Sequence, residues 1–200
     1  GKTTTTYLLD AVLRHAGHTT GLLGTVETRV GDDRYDASHT TPESADLQKL
    51  LRSMVAAGVS AVSMEVSSHA IDLHRVDALR FAVAAYTNLT QDHLDYHHTI
   101  EEYFAVKRRL FTDFDVGARV VNVDDPLGAA MALELPGVLT VERADDASVR
   151  AIDESLRPDS ASFTLLTPDG SARVELPLAA EYNVSNALVA AGSAFALGIP

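Results

Sequence analysis

Two apolar runs, residues 61–66 and 81–87, constrain the fold of this 200-residue chain more than any other feature of its sequence. Neither run alternates strictly between apolar and polar residues, as a strand with one solvated face does. Both are therefore predicted to be strands that are buried on both faces of a parallel sheet. Segments with helical spacing alternate with such strands, which predicts an α/β fold with a doubly wound, mostly parallel sheet. Its ligand site should lie at the carboxyl ends of the strands.

Turn and capping residues predict the other elements. A first helix should cover residues 3–16, and a second should begin at Thr41-Pro42, as cap and first-turn proline, and end at Gly58. The sequence Thr-Ile-Glu-Glu from Thr99 is a capping box that should open a third helix. The remaining predictions are strands over 20–26, 118–123 and 138–141, a hairpin or loop over 31–39, a small antiparallel β extension over 148–178 and a helix over 184–197.

Composition limits the classes of protein to which the chain can belong. An apolar content of 46% over 200 residues suits one domain with one core. The sequence has no apolar run of membrane-spanning length, no secretory signal and no cysteine, so we expect a soluble, cytoplasmic protein. A net charge of −12 argues against a broad basic face, so we expect neither nucleic acid nor membrane as a partner.

The first six residues, Gly-Lys-Thr-Thr-Thr-Thr, read as the second half of a phosphate-binding loop at the start of a helix. Backbone N–H groups there can bind phosphate, Lys2 can reach the outer phosphates, and the Thr3 hydroxyl can ligate Mg²⁺. A Thr-rich helix start is the simpler alternative. A P-loop normally follows a buried strand and a leading glycine, neither of which is in the sequence. We therefore expect one P-loop-type domain of a longer enzyme.

Polar residues follow both buried runs. Glu65 ends the first, with Ser67, Ser68 and His69 predicted to begin a loop, and His93 follows the second. A carboxylate and an imidazole at the same sheet edge could hold a metal ion against phosphate. The alternatives are a helix-capping or solvated acid and a structural histidine.

Lys107 lies on an apolar helix face. The chain has three lysines against thirteen arginines, so a lysine at this position suggests a function that arginine cannot perform. Tyr103, Phe104, Leu110 and Phe111 share its face by helical spacing. Such a lysine must extend to solvent, pair with an acid or lose its proton. As a neutral amine it could add CO₂ and become a carbamate, an anionic oxygen ligand suited to Mg²⁺.

Together these motifs make the sequence similar to the Mur ligases. The resemblance is carried, in order, by GKTTTT, HTTP, MEVSSHA, HRV, TNLTQDHLDYH, a Tyr-Phe-x-x-Lys helix and EYNVSNAL, and it spans nearly the whole chain. It corresponds to the central, ATP-binding domain of these enzymes. MEVSSHA with DHLDYH is specific to the member that adds the third residue of the peptidoglycan stem peptide. The resemblance implies that the uridine-binding N-terminal domain and the C-terminal domain that selects the amino acid lie outside these 200 residues.

The resemblance implies a role for individual positions. It assigns phosphate binding to Gly1, Lys2, Thr3 and Thr4, and contact with adenine to Asn183 and Asn186. It makes Thr3, Glu65, His93 and a carbamylated Lys107 the magnesium-binding residues, and Lys2, Glu65, His93 and Lys107 the catalytic ones. It assigns contact with the UDP-muramoyl-dipeptide to Thr40, Thr41, Ser67 and Arg75.

The activity implied is that of an ATP- and Mg²⁺-dependent carboxylate–amine ligase. It would join meso-diaminopimelate or L-lysine to UDP-MurNAc-L-Ala-D-Glu through an acyl phosphate. The 200 residues alone should be inactive, because their partners include the flanking domains of the same chain. Two alternatives remain open: another ligase of the superfamily, of the folylpolyglutamate or cyanophycin synthetase type, and a non-catalytic P-loop binding module.

Overall fold

The computed structural model describes residues 1–37, 39–89, 94–143 and 147–199, with the backbone alone for 94 and 95. Its helices are α1 (Lys2–His15), α2 (Ser44–Ala56), α3 (Ser68–Asp72), α4 (Leu94–His97), α5 (Ile100–Thr112), α6 (Pro126–Glu134) and α7 (Glu181–Ala196). Its strands are β1 (Thr20–Leu23), β2 (Glu27–Val30), β3 (Asp33–Asp36), β4 (Ala61–Met64), β5 (Phe81–Tyr86), β6 (Val116–Asn122), β7 (Val138–Glu142), β8 (Val149–Leu156), β9 (Ala161–Thr167) and β10 (Gly170–Leu176).

The strands form two sheets. The first has six strands in the order β10-β9-β8-β7-β6-β5, with parallel pairing from β5 to β8 and antiparallel pairing from β8 to β10. The second has the order β3-β2-β1-β4, in which β1 and β4 are parallel and the β2–β3 hairpin is antiparallel. The predicted α/β fold with a mostly parallel sheet and a small antiparallel extension is confirmed.

Helices cover both faces of the six-stranded sheet. Val120 and Val121 are neighbours on β6 and both are fully buried, but they belong to different apolar clusters because successive strand residues point to opposite faces. Val121 packs in the cluster that includes Leu110 and Phe111 of α5, and Val120 in the cluster that includes Leu188 of α7. The sheet is therefore doubly wound.

A cleft of about 530 Å³ lies between β4 and β5, the facing edge strands of the two sheets. Residues 61–65 line one wall and residues 81–85 the other, with Leu9 and Leu13 of α1 between them. Both β4 and β5 border the cleft, so neither strand is buried along its whole length. The prediction that runs 61–66 and 81–87 are buried on both faces is therefore correct only in part.

Other differences are local and arise from long-range pairing. The strand predicted over 20–26 ends at Leu23, because the chain turns there into the β2–β3 hairpin. Thr41 does not cap α2: the cap position is Glu43, and the Thr41 hydroxyl instead contacts the segment after β4. The segment predicted as a loop after Glu65 contains α3, with Ser67 as its cap. Helix α6 was not predicted, although Asp125 followed by Pro126 is a helix-start signature.

The capping box at Thr99 is observed where the sequence predicts it. The Thr99 hydroxyl accepts a hydrogen bond from the Glu102 N–H at 3.1 Å, at the start of α5. None of the helices in the described residues is long and apolar enough to cross a membrane.

Ala180, the residue before α7, has φ 75° and ψ 147°, a conformation that is strongly unfavourable for any residue with a Cβ. We expect Ala180→Gly to raise the free energy of unfolding by about 1 kcal/mol, because glycine relieves the backbone strain. The greater freedom of glycine in the unfolded chain offsets part of this gain. Urea unfolding of the full-length protein measures this. The neighbouring Ala179→Gly, outside the positive-φ region, should not stabilise. Equal effects of the two substitutions would contradict the prediction.

Candidate functional site at the strand ends

Glu65 is a buried carboxylate at the carboxyl end of β4. It follows β4 directly, and its N–H donates to the Leu23 carbonyl at 2.8 Å, which continues the parallel pairing of β4 with β1 by one residue. That pairing sets Glu65 beside the residues that follow β1. The side chain is only 2% exposed. A carboxylate this buried must be hydrogen-bonded or must bind a cation.

The residues after β1 form a cradle for this carboxylate. The Thr25 N–H donates to Glu65 Oε1 at 2.9 Å, and the Thr25 hydroxyl donates to Oε2 at 3.3 Å. A Cβ on Gly24 would lie 2.6 Å from Oε1, so only glycine leaves room for the carboxylate. Gly24 and Thr25 were not identified from the sequence, because their role depends on the register between β1 and β4.

Thr3 connects the cradle to the phosphate-loop sequence. Its hydroxyl donates to Glu65 Oε2 at 3.0 Å across 62 residues of chain. Thr3 lies in the first turn of α1, where Gly1 is the cap residue and Lys2 the first helical residue. The N–H groups of this turn, including that of Thr4, have no carbonyl partner within the helix, as at every helix start. The structure therefore brings Glu65 to the end of α1 that can bind an anion.

The end of β5 reaches the same place through Asn88. A Cβ on Gly1 would lie 2.7 Å from Asn88 Oδ1, so the absence of a side chain lets the two segments approach. Lys107 Nζ lies 3.5 Å from the Asn88 carbonyl oxygen and 4.8 Å from the centre of the Tyr103 ring. Lys107 thus faces the start of α1, while Arg108 and Arg109 point away to Glu134 and Asp72, as the helical spacing predicts.

Charged groups from three separate elements lie near the start of α1. Lys2 is the first residue of α1, and Glu65 accepts a hydrogen bond from Thr3 in the same turn. Lys107 of α5 lies beside Asn88, which approaches Gly1. His93, the other predicted metal ligand, lies outside the described residues.

The sequence Asn-Val-Asp-Asp from Asn122 holds the end of β5 in place. Asn122 Nδ2 donates to the Thr87 carbonyl at 2.7 Å. Asp125 accepts from the Tyr86 hydroxyl at 2.9 Å, from the Leu89 N–H at 3.1 Å and from two N–H groups at the start of α6. Burial and then the Asp125 carboxylate raise the pKa of Tyr86, so that hydroxyl stays protonated. The helix-start signature at Asp125 was the available signal for this missed residue.

The residues predicted to contact substrate surround Glu65 but already have partners. Thr41 is 1% exposed, and its hydroxyl donates to the Glu65 carbonyl at 2.8 Å and accepts from the Ser67 N–H at 3.1 Å. Ser67 Oγ caps α3, and Arg75 donates to the Thr41 carbonyl at 3.1 Å and pairs with Glu43. Thr40 Oγ1 lies 3.0 Å from Thr25 Oγ1. Thr41 therefore joins the segment before α2 to the segment after β4, and its hydroxyl is already engaged in these hydrogen bonds.

Asn183 and Asn186 lie on α7, beside the first turns of α1. The Asn186 carbonyl accepts from the Thr5 hydroxyl at 3.4 Å, which places this part of α7 near the phosphate-loop sequence. Asn186 Nδ2 donates to Asn183 Oδ1 at 3.1 Å, and Asn183 Nδ2 donates to the Ala179 carbonyl at 2.6 Å. Both amides are thus fixed in orientation.

The donor set suits magnesium. In the described part of the chain no three His, Asp or Glu side chains come together. Glu65 and Thr3 offer a carboxylate and a hydroxyl, and Mg²⁺ characteristically takes one or two carboxylates and completes its coordination with water and substrate phosphates. The buried Glu65 carboxylate beside the start of α1 therefore fits a magnesium–nucleotide complex.

Comparisons with known proteins agree with this site. Residues 1–194 match the Mur ligase middle domain. The chain is 44% identical to the UDP-N-acetylmuramoyl-L-alanyl-D-glutamate–2,6-diaminopimelate ligase of Bacillus licheniformis and 45% identical to that of Streptomyces coelicolor. All of the chain is covered in both, against 43% and 40% of the relatives, so the chain spans less than half of their length.

Solved structures of Mur ligases also superimpose on the chain. A 2,6-diaminopimelate ligase with the same full name superimposes with a TM-score of 0.89 and 30% identity, covering 100% of this chain and 42% of that one. MurF from Acinetobacter baumannii superimposes with a TM-score of 0.77 and 25% identity, over 99% of this chain and 41% of that one.

Proposed function

This chain belongs to the Mur ligase family, and we propose that it is the ATP-binding part of a ligase that joins 2,6-diaminopimelate to UDP-MurNAc-L-Ala-D-Glu in peptidoglycan synthesis. The observation that carries the proposal is the contact between Glu65 and Thr3, which sets a buried carboxylate against the anion-binding end of α1. The names of the relatives favour diaminopimelate over lysine as the added amino acid. We expect the enzyme to be cytoplasmic.

The reaction would take place in two steps. A carboxylate oxygen of D-glutamate attacks the γ-phosphorus of ATP, and the bond from phosphorus to the ADP oxygen breaks, giving an acyl phosphate and ADP. The amine of diaminopimelate then attacks the acyl carbon, loses a proton and expels phosphate. Such a reaction needs positioning and charge neutralisation more than covalent chemistry from the protein.

The residues of the chain divide these tasks. The backbone of Gly1, Thr3 and Thr4 and the ammonium of Lys2 would hold the phosphates of ATP. Glu65 and Thr3, with His93, would hold Mg²⁺, which when bound would neutralise charge on the phosphates during transfer. Asn186 and Asn183 would contact adenine. Thr40, Thr41, Ser67 and Arg75 would form the wall that faces the UDP-muramoyl-dipeptide, with Thr41 and Arg75 shaping it through the contacts described above.

Lys107 would act as a carbamate. Its neutral amine would attack the carbon of CO₂, electrons would move to an oxygen, and a proton would leave to solvent, which turns a cation into a carboxylate-like ligand. Three features support this role: the side chain lies on the same helix face as buried aromatic residues, faces the start of α1 and lies beside Asn88. An anionic oxygen at this place would suit a second magnesium ion.

The proposal is tested with the full-length protein. We expect phosphate release that requires both UDP-MurNAc-L-Ala-D-Glu and 2,6-diaminopimelate, and transfer of ¹⁸O from a labelled D-glutamyl carboxylate to the released phosphate, since that oxygen leaves with phosphorus when the acyl phosphate is attacked. Folate- or aspartate-type substrates are the control for other ligases of the superfamily. Phosphate release that ignores the dipeptide, or released phosphate that carries no ¹⁸O, would contradict the proposal, and binding of ATP without any turnover would indicate a binding module.

A further inference from the structure

His97, the last residue of α4, connects two parts of the site. It is only 4% exposed. On one side its Nε2 shares a hydrogen bond with Ser68 Oγ at 2.7 Å. On the other its ring stacks on the Tyr103 ring, with centroids 4.9 Å apart and planes 14° apart. His97 thus lies between α3, which begins at Ser68, and α5, which carries Tyr103.

Both ends of this connection lead to residues of the proposed site. Ser68 follows Glu65 by three positions, and the intervening Ser67 is held by the Thr41 hydroxyl. Tyr103 and Lys107 are one helical turn apart on the same face, with Lys107 Nζ 4.8 Å from the ring centre. His97 is therefore the link between the segment that bears Glu65 and the helix that bears Lys107.

The backbone around His97 directs its ring to this place. His98 has φ 61°, which reverses the chain, and the Thr99 N–H donates to the His97 carbonyl at 2.7 Å just before α5 begins. A second set of hydrogen bonds joins the same three helices. Asp72 of α3 accepts from the Tyr96 hydroxyl of α4 at 2.8 Å and from Arg109 of α5 at 3.3 Å. With α4 held in this way, the His97 ring stays against Tyr103.

We propose that His97 is a positioning residue, which fixes the Tyr103 ring through its own hydrogen bond to Ser68. The fixed Tyr103 ring in turn holds Lys107 Nζ at a set position relative to Glu65. A lysine side chain has several rotatable bonds, and ordering it is costly unless it packs on a rigid surface. The stacked His97–Tyr103 pair provides that surface. The inference rests on the proposed function, in which Lys107 carries a carboxyl group that would hold a second magnesium ion near the one held by Glu65.

The test measures the carbamate on Lys107 directly in the full-length protein, by ¹³C NMR during titration with ¹³C-labelled bicarbonate. His97→Phe keeps a ring for stacking but loses the bond to Ser68, and Ser68→Ala removes that bond from the other side. In each we expect the bicarbonate concentration for half-maximal carbamate to rise roughly five- to tenfold, as an added cost of ordering one lysine side chain. The double variant should match the single ones, since all three remove one bond.

Ser193→Ala is the matched control. Ser193 is 1% exposed, and its hydroxyl donates to the Val189 carbonyl at 2.7 Å within α7. This variant should lose stability comparable to that lost by Ser68→Ala, with no change in the bicarbonate titration. If His97→Phe does not fold, Ser68→Ala, which removes a single oxygen, decides the question.

The outcomes separate the inference from the proposed function. A wild-type protein that never shows a carbamate on Lys107 would overturn the proposed role of Lys107, whatever His97 does. A wild-type carbamate that is unchanged in both Ser68→Ala and His97→Phe would overturn the inference alone. A rise in both variants and none in Ser193→Ala supports it.

Discussion

Replacing Glu65 by glutamine in the full-length enzyme should lower kcat about 10²- to 10³-fold, a loss of roughly 3–4 kcal/mol, as for other single groups that stabilise charge in a transition state. Glutamine has the same shape and keeps an oxygen that can accept from the Thr25 N–H. It removes the negative charge, and its amide nitrogen cannot accept the hydrogen bond from Thr3. The variant should therefore fold normally and fail in catalysis. His93→Ala, at the other proposed magnesium ligand, should lose turnover to a similar extent.

Steady-state kinetics at saturating magnesium measure the effect of Glu65→Gln. Glu154→Gln is the matched control, because Glu154 is also a charged carboxylate, pairs with Arg143 at 2.9 Å and lies on β8, a strand that carries none of the proposed site residues. It should lower thermal stability and leave kcat unchanged. Near-normal turnover of Glu65→Gln would remove Glu65 from the proposed magnesium site, and an equal loss in Glu154→Gln would show that the effect is general.

Lys107→Arg should be inactive, although arginine keeps the positive charge and the apolar stem. Guanidinium is not deprotonated in proteins, so it cannot take up CO₂, and it would keep a positive charge beside the magnesium site. Lys107→Ala should be equally poor but should recover part of its activity in acetate, which can supply an anionic oxygen in the vacated space. Turnover measured with and without acetate separates a carbamate from a lysine that only extends to solvent.

Arg108→Lys is the control on the same helix. Arg108 points away from the site to Glu134, so the exchange should leave turnover intact. Full activity of Lys107→Arg would rule out the carbamate, and so would an unmodified lysine in a magnesium-bound crystal structure.

Local sequence signals were enough for much of the fold. The capping box at Thr99, the apolar face around Lys107 and the antiparallel extension over 148–178 follow from spacing and turn residues that act within a few positions. Glu65 could be placed at a strand end for the same reason. These features need no knowledge of which strand pairs with which.

The missed features depend on pairing between distant segments. Gly24 and Thr25 reach Glu65 only through the register of β1 with β4, and nothing in the sequence near residue 24 shows it. The sequence around Thr41 predicts a helix cap, but the Thr41 hydroxyl instead donates to the Glu65 carbonyl, 24 residues away in the chain. The link from Ser68 through His97 to Tyr103 is of the same kind, because it joins three helices whose arrangement is set by the whole fold.

The facing edges of β4 and β5 should affect the tendency of the 200 residues to aggregate when they are produced by themselves. Edge strands are usually protected from pairing with other chains by charged residues or proline, but the four residues of β4 and the six of β5 include neither. Their free backbone groups border an apolar cleft, which is the combination that favours intermolecular strand pairing and aggregation. An extended apolar segment that paired with both edges would remove this hazard, join the two sheets into one and fix the distance between Glu65 on one side and Asn88 on the other.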